Sequence, residues 1–218
     1  MEPDRRYPER CAVLVFVRAP ERGRVKTRLA AAIGADAALR VYRRLAEHCV
    51  AEARGVGDGV VVRVHFTPAD RGAEVAGWLG PGAEYLPQAE GPLGTRLEEA
   101  FAAAFAAGFG RVVVIGSDLP RLDAAHLRAG LEALERSSAV LGPARDGGYW
   151  LLGLREPKPE VFRGVPWSTD GVLPETLARF RDAGAEPVLL EELTDVDEVG
   201  DLPPGWREWA EGAQRNRS

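Results

Sequence analysis

Seven consecutive apolar residues, Cys11 to Val17 (CAVLVFV), leave an extended segment with no polar face. Side chains on a strand alternate between two faces, so such a run is stable only where both faces are covered. It predicts a central strand in a sheet layered by helices on both sides, with Pro20 soon after its end. A second short run, RVVVIG at 111–116, makes the same demand, and Pro120 prevents its continuation.

Between and beyond these strands the pattern alternates. Ala38, Val41, Tyr42, Leu45, Cys49 and Val50 recur at three- and four-residue spacing, which predicts an amphipathic helix over 37–53. Strands are expected at 59–66, 84–86, 138–144, 149–154 and 186–190, and helices at 70–79, 93–108 and 172–183. Asp123 is a favoured N-cap type and predicts a helix from there to 136. This alternation predicts an α/β fold with a Rossmann-like, mostly parallel sheet flanked by helices. The 218 residues suit one sizeable core, read as a single domain over 10–204, with an N-terminal tail over 1–9 and a C-terminal helix or tail over 205–218. Ligands of such folds gather beyond the carboxyl ends of the strands, so motifs that follow strands carry the most weight.

A formal charge of -5 argues against nucleic acid as a partner, because duplex binding needs a basic stripe. Any phosphate recognition should therefore be local. Only two of the 28 basic residues are lysines, Lys26 and Lys158, which makes the setting of each worth inspection. Cys11 and Cys49 form neither a disulfide scaffold nor a zinc pattern, so a reducing, cytoplasmic location is expected. The charged start MEPDRRYPER and the lack of a long apolar stretch predict neither secretion nor a membrane partner.

After the first strand, a Pro/Gly loop holding Arg18 and Gly23 delivers Lys26, Thr27 and Arg28 to a helix start. Unpaired N–H groups there, an ammonium and a guanidinium together suit a diphosphate. The spacing is neither GxxxxGK[ST] nor GxGxxG. After the second strand, Gly116-Ser117-Asp118-Leu119-Pro120 places a carboxylate in a tight turn, suited to a hard divalent cation or to capping the turn. Asp195-Val196-Asp197 puts two carboxylates on one side of an extended segment, and Asp197 is the second candidate ligand.

Asp146-Gly147-Gly148-Tyr149 combines an acceptor, two permissive glycines and an aromatic hydroxyl, and Asp-Gly between apolar runs is also a hairpin signal. Trp167-Ser168-Thr169 offers an aromatic platform with hydroxyls that could meet an acceptor or cap the next helix. Gly91-Pro-Leu-Gly94-Thr-Arg96 is a further glycine-rich helix start, with Gly94 and Arg96 as phosphate-side candidates. His48, His65 and His126 share no ligand spacing and read as structural.

In this order, RAPERGRVKTRL, GPLGTRL, GSDLP, GPARDGGYWLLG, VPWST and DVD resemble a GT-A-like transferase family, over about residues 11–203. It is the family known as arsenosugar-biosynthesis-type glycosyltransferases or radical-SAM/selenodomain-associated transferases. Its relatives include nucleotidyltransferases such as phospholactate guanylyltransferases. The resemblance implies a GT-A, nucleotide-diphospho-sugar transferase fold, a nucleotide-sugar donor, a small-molecule acceptor and Mg²⁺ or Mn²⁺. It gives Gly23, Lys26 and Arg28 to the diphosphate and Asp118 to the metal, and Asp146 is the candidate base. Gly116 stands where the first acid of the metal motif would be, Arg18 where relatives often carry Lys, and Pro92 where they often carry Asp. The expected reaction is glycosyl transfer. Nucleotidyl transfer from an NTP to a phosphorylated molecule is the alternative, and a non-catalytic nucleotide-binding regulator is the third reading. The missing GxGxR loop favours sugar transfer over nucleotidyl transfer.

Overall fold

In the computed structural model, which describes residues 10–212, the first apolar run becomes β1 (Cys11–Arg18), with strands paired on both of its sides. The other strands are β2 (Val60–Thr67), β3 (Glu84–Pro87), β4 (Arg111–Ile115), β5 (Ala139–Pro143), β6 (Tyr149–Leu154) and β7 (Val188–Leu189). They form one sheet in the order β3-β2-β1-β4-β6-β5-β7. Only β6 runs antiparallel to its neighbours, β4 and β5. The remaining pairs are parallel. The expected α/β fold with a mostly parallel sheet is present, and Asp146-Gly147 lies in the hairpin that reverses β5 into β6.

The helices are α1 (Thr27–Ile33), α2 (Ala35–Arg54), α3 (Gly72–Leu79), α4 (Leu93–Ala106), α5 (Ala124–Ala133), α6 (Val172–Asp182) and α7 (Trp206–Gly212). They cover the sheet on both faces. Val13, Val15 and Val17 pack in one cluster with Cys49, Val50 and Ala53 of α2 and Leu127 and Leu131 of α5. The alternate residues Ala12 and Leu14 pack with Leu97 and Phe101 of α4 and Phe180 of α6. Each fully buried Val or Leu contributes about 1.5–3 kcal/mol relative to exposure, which is why the run carries no polar residue.

Asp123 caps α5 as expected, accepting from the His126 N–H at 3.0 Å. Several boundaries differ from the sequence reading, among them α4, which ends at Ala106 in place of 108, α5, which ends at Ala133 in place of 136, and β7, which is confined to Val188–Leu189. The long helix starts at Ala35, separated from α1 by Gly34 at φ +84°, a conformation that costs glycine little and others more. The segment expected as helix or tail over 205–218 is helical as α7 up to Gly212, and its buried Ala210 accepts at its carbonyl from Arg40 Nε at 2.8 Å. The expected tails at 1–9 and 213–218 lie outside the described residues. No helix among the described residues is long and apolar enough to cross a membrane.

The sheet order sets the site. From β1 the chain winds outward through β2 and β3, then returns to β4 on the other side of β1. The loops after β1 and β4 therefore part company, and a crevice opens between them at the carboxyl ends of both strands.

Candidate active site at the strand crossover

Lys26 sits at the N-cap of α1 with φ 45° and ψ 54°. Left-handed backbone is uncommon for a residue with a Cβ and is a cost that a functional position tends to retain. Its side chain is only 7% exposed, and Nζ donates to Asp118 Oδ2 at 2.8 Å and to Asp197 Oδ1 at 3.4 Å. Burial opposes the ammonium charge, but Asp118, Asp197 and Asp195 outweigh it and hold the Lys26 pKa above its ordinary value. Arg28 Nη1 donates to the other Asp197 oxygen at 2.9 Å. With only seven residues, α1 adds little of its own at its N-terminus, and the positive charge of this corner comes from the cationic side chains.

Asp118, Asp195 and Asp197 bring one carboxylate oxygen each within 4.8 Å of one another. Buried Val196 anchors the segment in the core, its N–H donating to the Asp118 carbonyl at 3.0 Å, so the flanking carboxylates converge. The Asp197 and Glu198 N–H groups donate to Asp201 Oδ2 at 3.1 and 2.8 Å, which fixes the turn. Burial, then the neighbouring Asp118 and Asp146, push the Asp195 carboxyl up to about 6. A set of three oxygen donors fits a hard cation such as Mg²⁺ or Mn²⁺. Gly116 belongs to this arrangement: a Cβ there would lie 3.0 Å from Asp118 Oδ1. The acid absent at position 116 has counterparts in Asp195 and Asp197 from the far end of the chain.

Two chambers meet at Asp118. The first, of about 520 Å³, is lined by Arg18, Arg24, Lys26, Thr27, Arg28 and Arg96, with Tyr42, Thr67, Gln88 and Asp197. Arg96 Nε donates to the Gly91 carbonyl at 2.8 Å, and Arg18 Nη1 to the Arg24 carbonyl at 3.0 Å. Tyr42 closes the floor, its hydroxyl donating to the Arg18 carbonyl and accepting the Arg18 N–H, each at 2.7 Å. Gln88 Nε2 donates to the His65 carbonyl at 2.8 Å, between the ends of β1 and β2.

The second chamber, of about 260 Å³, has a wall of Phe16, Leu93, Leu97, Tyr149, Trp150 and Trp167, with Gly148, Ser168 and Thr169 and the carboxylates Asp118, Asp146 and Asp195. Asp146 Oδ1 accepts the Gly148 N–H at 2.9 Å, and this turn holds the carboxylate at the hairpin tip. The Tyr149 and Trp167 rings meet edge to face with centroids 6.3 Å apart.

Most sequence-selected residues come together here, but three glycines take other places and two hydroxyls are turned away from the chamber. Gly94 lies buried in α4, where a Cβ would come 2.6 Å from Trp167 Nε1 and 2.9 Å from the Phe162 carbonyl, so it serves close packing and not the phosphate side. Gly147, at φ +87°, approaches the Asp170 backbone instead of a chamber, and its carbonyl accepts from Leu173 N–H at 2.9 Å. Gly23, at φ +76°, turns the loop without lining a chamber. The Tyr149 hydroxyl is buried near Thr176, its pKa raised by burial, leaving only the ring for the chamber. The Thr169 hydroxyl is engaged locally, donating to the Pro166 carbonyl at 2.7 Å and accepting Gly171 N–H at 3.2 Å.

Asp195 was read from sequence only as the partner of Asp197, and Gln88, Tyr42 and Phe16 were not selected for the site. Asp195 had a signal in its two-residue spacing from Asp197, and the others had none. The histidines line neither chamber: His48 Nε2 pairs with the Leu122 carbonyl at 2.8 Å, and His65 stacks on Phe16 at 5.5 Å.

A mostly parallel sheet with its crevice at the β1/β4 crossover, a basic pocket and converging carboxylates fit a nucleotide-diphospho-sugar transferase fold of GT-A type. Residues 50–169 match the family described as "Uncharacterized protein conserved in bacteria (DUF2064)", and the chain belongs to that family. It is 32% identical over 140 residues to a phosphoenolpyruvate guanylyltransferase of Chloroflexus aggregans, covering 63% of this chain and 69% of that one. Its fold matches a provisionally named nucleotide-diphospho-sugar transferase of Desulfovibrio desulfuricans with a TM-score of 0.83 and 30% identity, over 95% of each chain. At 14% identity and a TM-score of 0.56, it shares its fold with glucosyl-3-phosphoglycerate synthase of Mycobacterium tuberculosis, over 96% of this chain and 80% of that one.

Proposed function

We propose that the chain is a divalent-cation-dependent glycosyltransferase that takes a nucleotide-diphosphate sugar in the basic chamber and a small-molecule acceptor in the apolar one. The observation that carries this reading is the meeting of the two chambers at Asp118, one lined by five cationic side chains and the other by none. Asp118, Asp195 and Asp197 would hold Mg²⁺ or Mn²⁺, which when bound neutralises part of the diphosphate charge. Similarity to a synthase solved with Mn²⁺ and UDP adds to the support for that donor set.

In this reading Lys26 passes from Asp118 to the leaving diphosphate, where a buried point charge stabilises negative charge developing in the transition state. Arg28, Arg96 and Arg18 bind and orient the phosphates through forked donors. Asp146, whose Oδ2 has no hydrogen bond among the described residues, accepts the proton of the acceptor hydroxyl. The acceptor oxygen bonds to the anomeric carbon, the bond from that carbon to the β-phosphate oxygen breaks, and the nucleoside diphosphate leaves. Trp167 and Phe16 cover the reacting carbon from water.

A second reading, nucleotidyl transfer, is favoured by the similarity to a guanylyltransferase. The two separate on their products. Incubating the protein and Mn²⁺ with nucleotide sugars, and separately with NTPs and phosphorylated acceptors, should release nucleoside diphosphate from a nucleotide sugar. Pyrophosphate release from an NTP, with every nucleotide sugar intact, would replace the first reading by the second.

A further inference from the structure

The second chamber has a chemistry of its own. Three carboxylates line it and, among the described residues, no Lys, Arg or His does. Asp118 is paired with Lys26, but neither Asp146 nor Asp195 has an ion pair among the described residues. A cation held by Asp118, Asp195 and Asp197 would be matched largely by the donor diphosphate, which leaves the Asp146 charge facing whatever enters. Asp146 is exposed at the hairpin tip, and an anion brought beside it would meet like charge that solvent screens only in part. The rest of the wall is aromatic and aliphatic, with Trp167, Tyr149 and Phe16 offering ring faces and edges.

From this, and resting on the acceptor role given to the chamber above, we propose the acceptor's chemical class. It is a compact molecule with a ring or short apolar body and no anionic group, its hydroxyl or amine turned toward Asp146. Sugar phosphates and carboxylic acids are excluded. Specificity then comes from opposite charge rules in adjoining spaces: the basic chamber selects the anionic donor, and the acidic one rejects a second anion.

Three probes of nearly one shape test this: 2-(4-hydroxyphenyl)ethanol, tyramine and 4-hydroxyphenylacetate, which differ at the side-chain terminus as alcohol, ammonium and carboxylate. Each is titrated by calorimetry into the full chain with Mn²⁺ and UDP or GDP present. The alcohol and the amine should bind at least tenfold tighter than the carboxylate, and Asp146→Asn should bring the carboxylate within about threefold of the alcohol. Equal or tighter binding of the carboxylate by the unsubstituted protein overturns the proposal, and so does failure of all three to bind. Binding of UDP and GDP is measured first and alone. If neither binds, the donor reading falls while the charge rule, read from the probes without nucleotide, still stands or falls by itself.

Discussion

The chambers on either side of Asp118 are built from different parts of the chain, and the difference divides the labour. The basic one is formed by the loop after β1, the start of α1 and the early part of α4, segments rich in arginine and held by backbone turns. The apolar one is formed by the β5–β6 hairpin and the 165–172 segment, with Trp150 in the core against the sheet and Val172 buried. In the proposed reading, charge recognition rests on exposed forked side chains, whereas shape recognition rests on rings packed against the core. Lys26 is the exception, a buried cation at the boundary, and the comparison breaks most easily there.

Replacing Lys26 by alanine should have the largest effect. It removes the ammonium from the diphosphate and leaves Asp118 without its 2.8 Å partner. Steady-state nucleoside diphosphate release should fall roughly 10³-fold in kcat/KM, as when one preorganised transition-state donor is lost. Lys26→Arg should recover only about a tenth of the activity or less, because a planar guanidinium does not fit a pocket shaped for a compact charge. Turnover within threefold of the unsubstituted protein would show that exposed arginines suffice, and the boundary would lose its meaning.

Gly94→Ala tests the other side. An added Cβ would press on Trp167 Nε1 and the Phe162 carbonyl, so about 1–3 kcal/mol of stability should be lost, read from denaturant unfolding. Displacement of Trp167 should raise the acceptor KM while the donor KM stays constant. A raised donor KM with a normal acceptor KM would return Gly94 to the phosphate side.

The contrast between Gly94 and Lys26 also shows what a sequence can carry. The strands were legible because burial on two faces writes a continuous apolar run, as in Cys11–Val17, and the order of strand and helix follows from period alone. Lys26, Arg28 and Asp118 were legible because each lies in the loop or helix start that follows a strand whose end must face the crevice. The partnership of Lys26 with Asp118 spans 92 residues and depends on strand order. Two chains with the same local pattern and different crossovers would not share it. Gly94 and Gly147 look like ligand-facing glycines in any linear reading. The neighbours they admit are Trp167 and the Asp170 backbone, which only the folded packing brings near.

Asp195 gives the smallest effect and the most direct reading of the boundary's electrostatics. Its carboxyl is raised from an ordinary 3.8 to about 6, first by burial and then by Asp118 and Asp146. Between those values the folded state binds a proton that the unfolded state releases. The associated stability is full below pH 4 and is lost as the pH rises through 6. Asp195→Asn removes the charge that carries this cost. In metal-free protein it should raise stability at pH 7–8 by about 1 kcal/mol, a figure discounted because the group is partly exposed. The gain should vanish below pH 4. Added Mn²⁺ should reverse it, because a cation stabilises the ionised cluster of the unsubstituted protein and finds one ligand fewer in the variant. Melting curves across this pH range, with and without Mn²⁺, read both signs at once. A variant no more stable than the unsubstituted protein at pH 8 would mean that Lys26 already balances all three carboxylates. The cluster would then have no unmet charge to offer a metal ion.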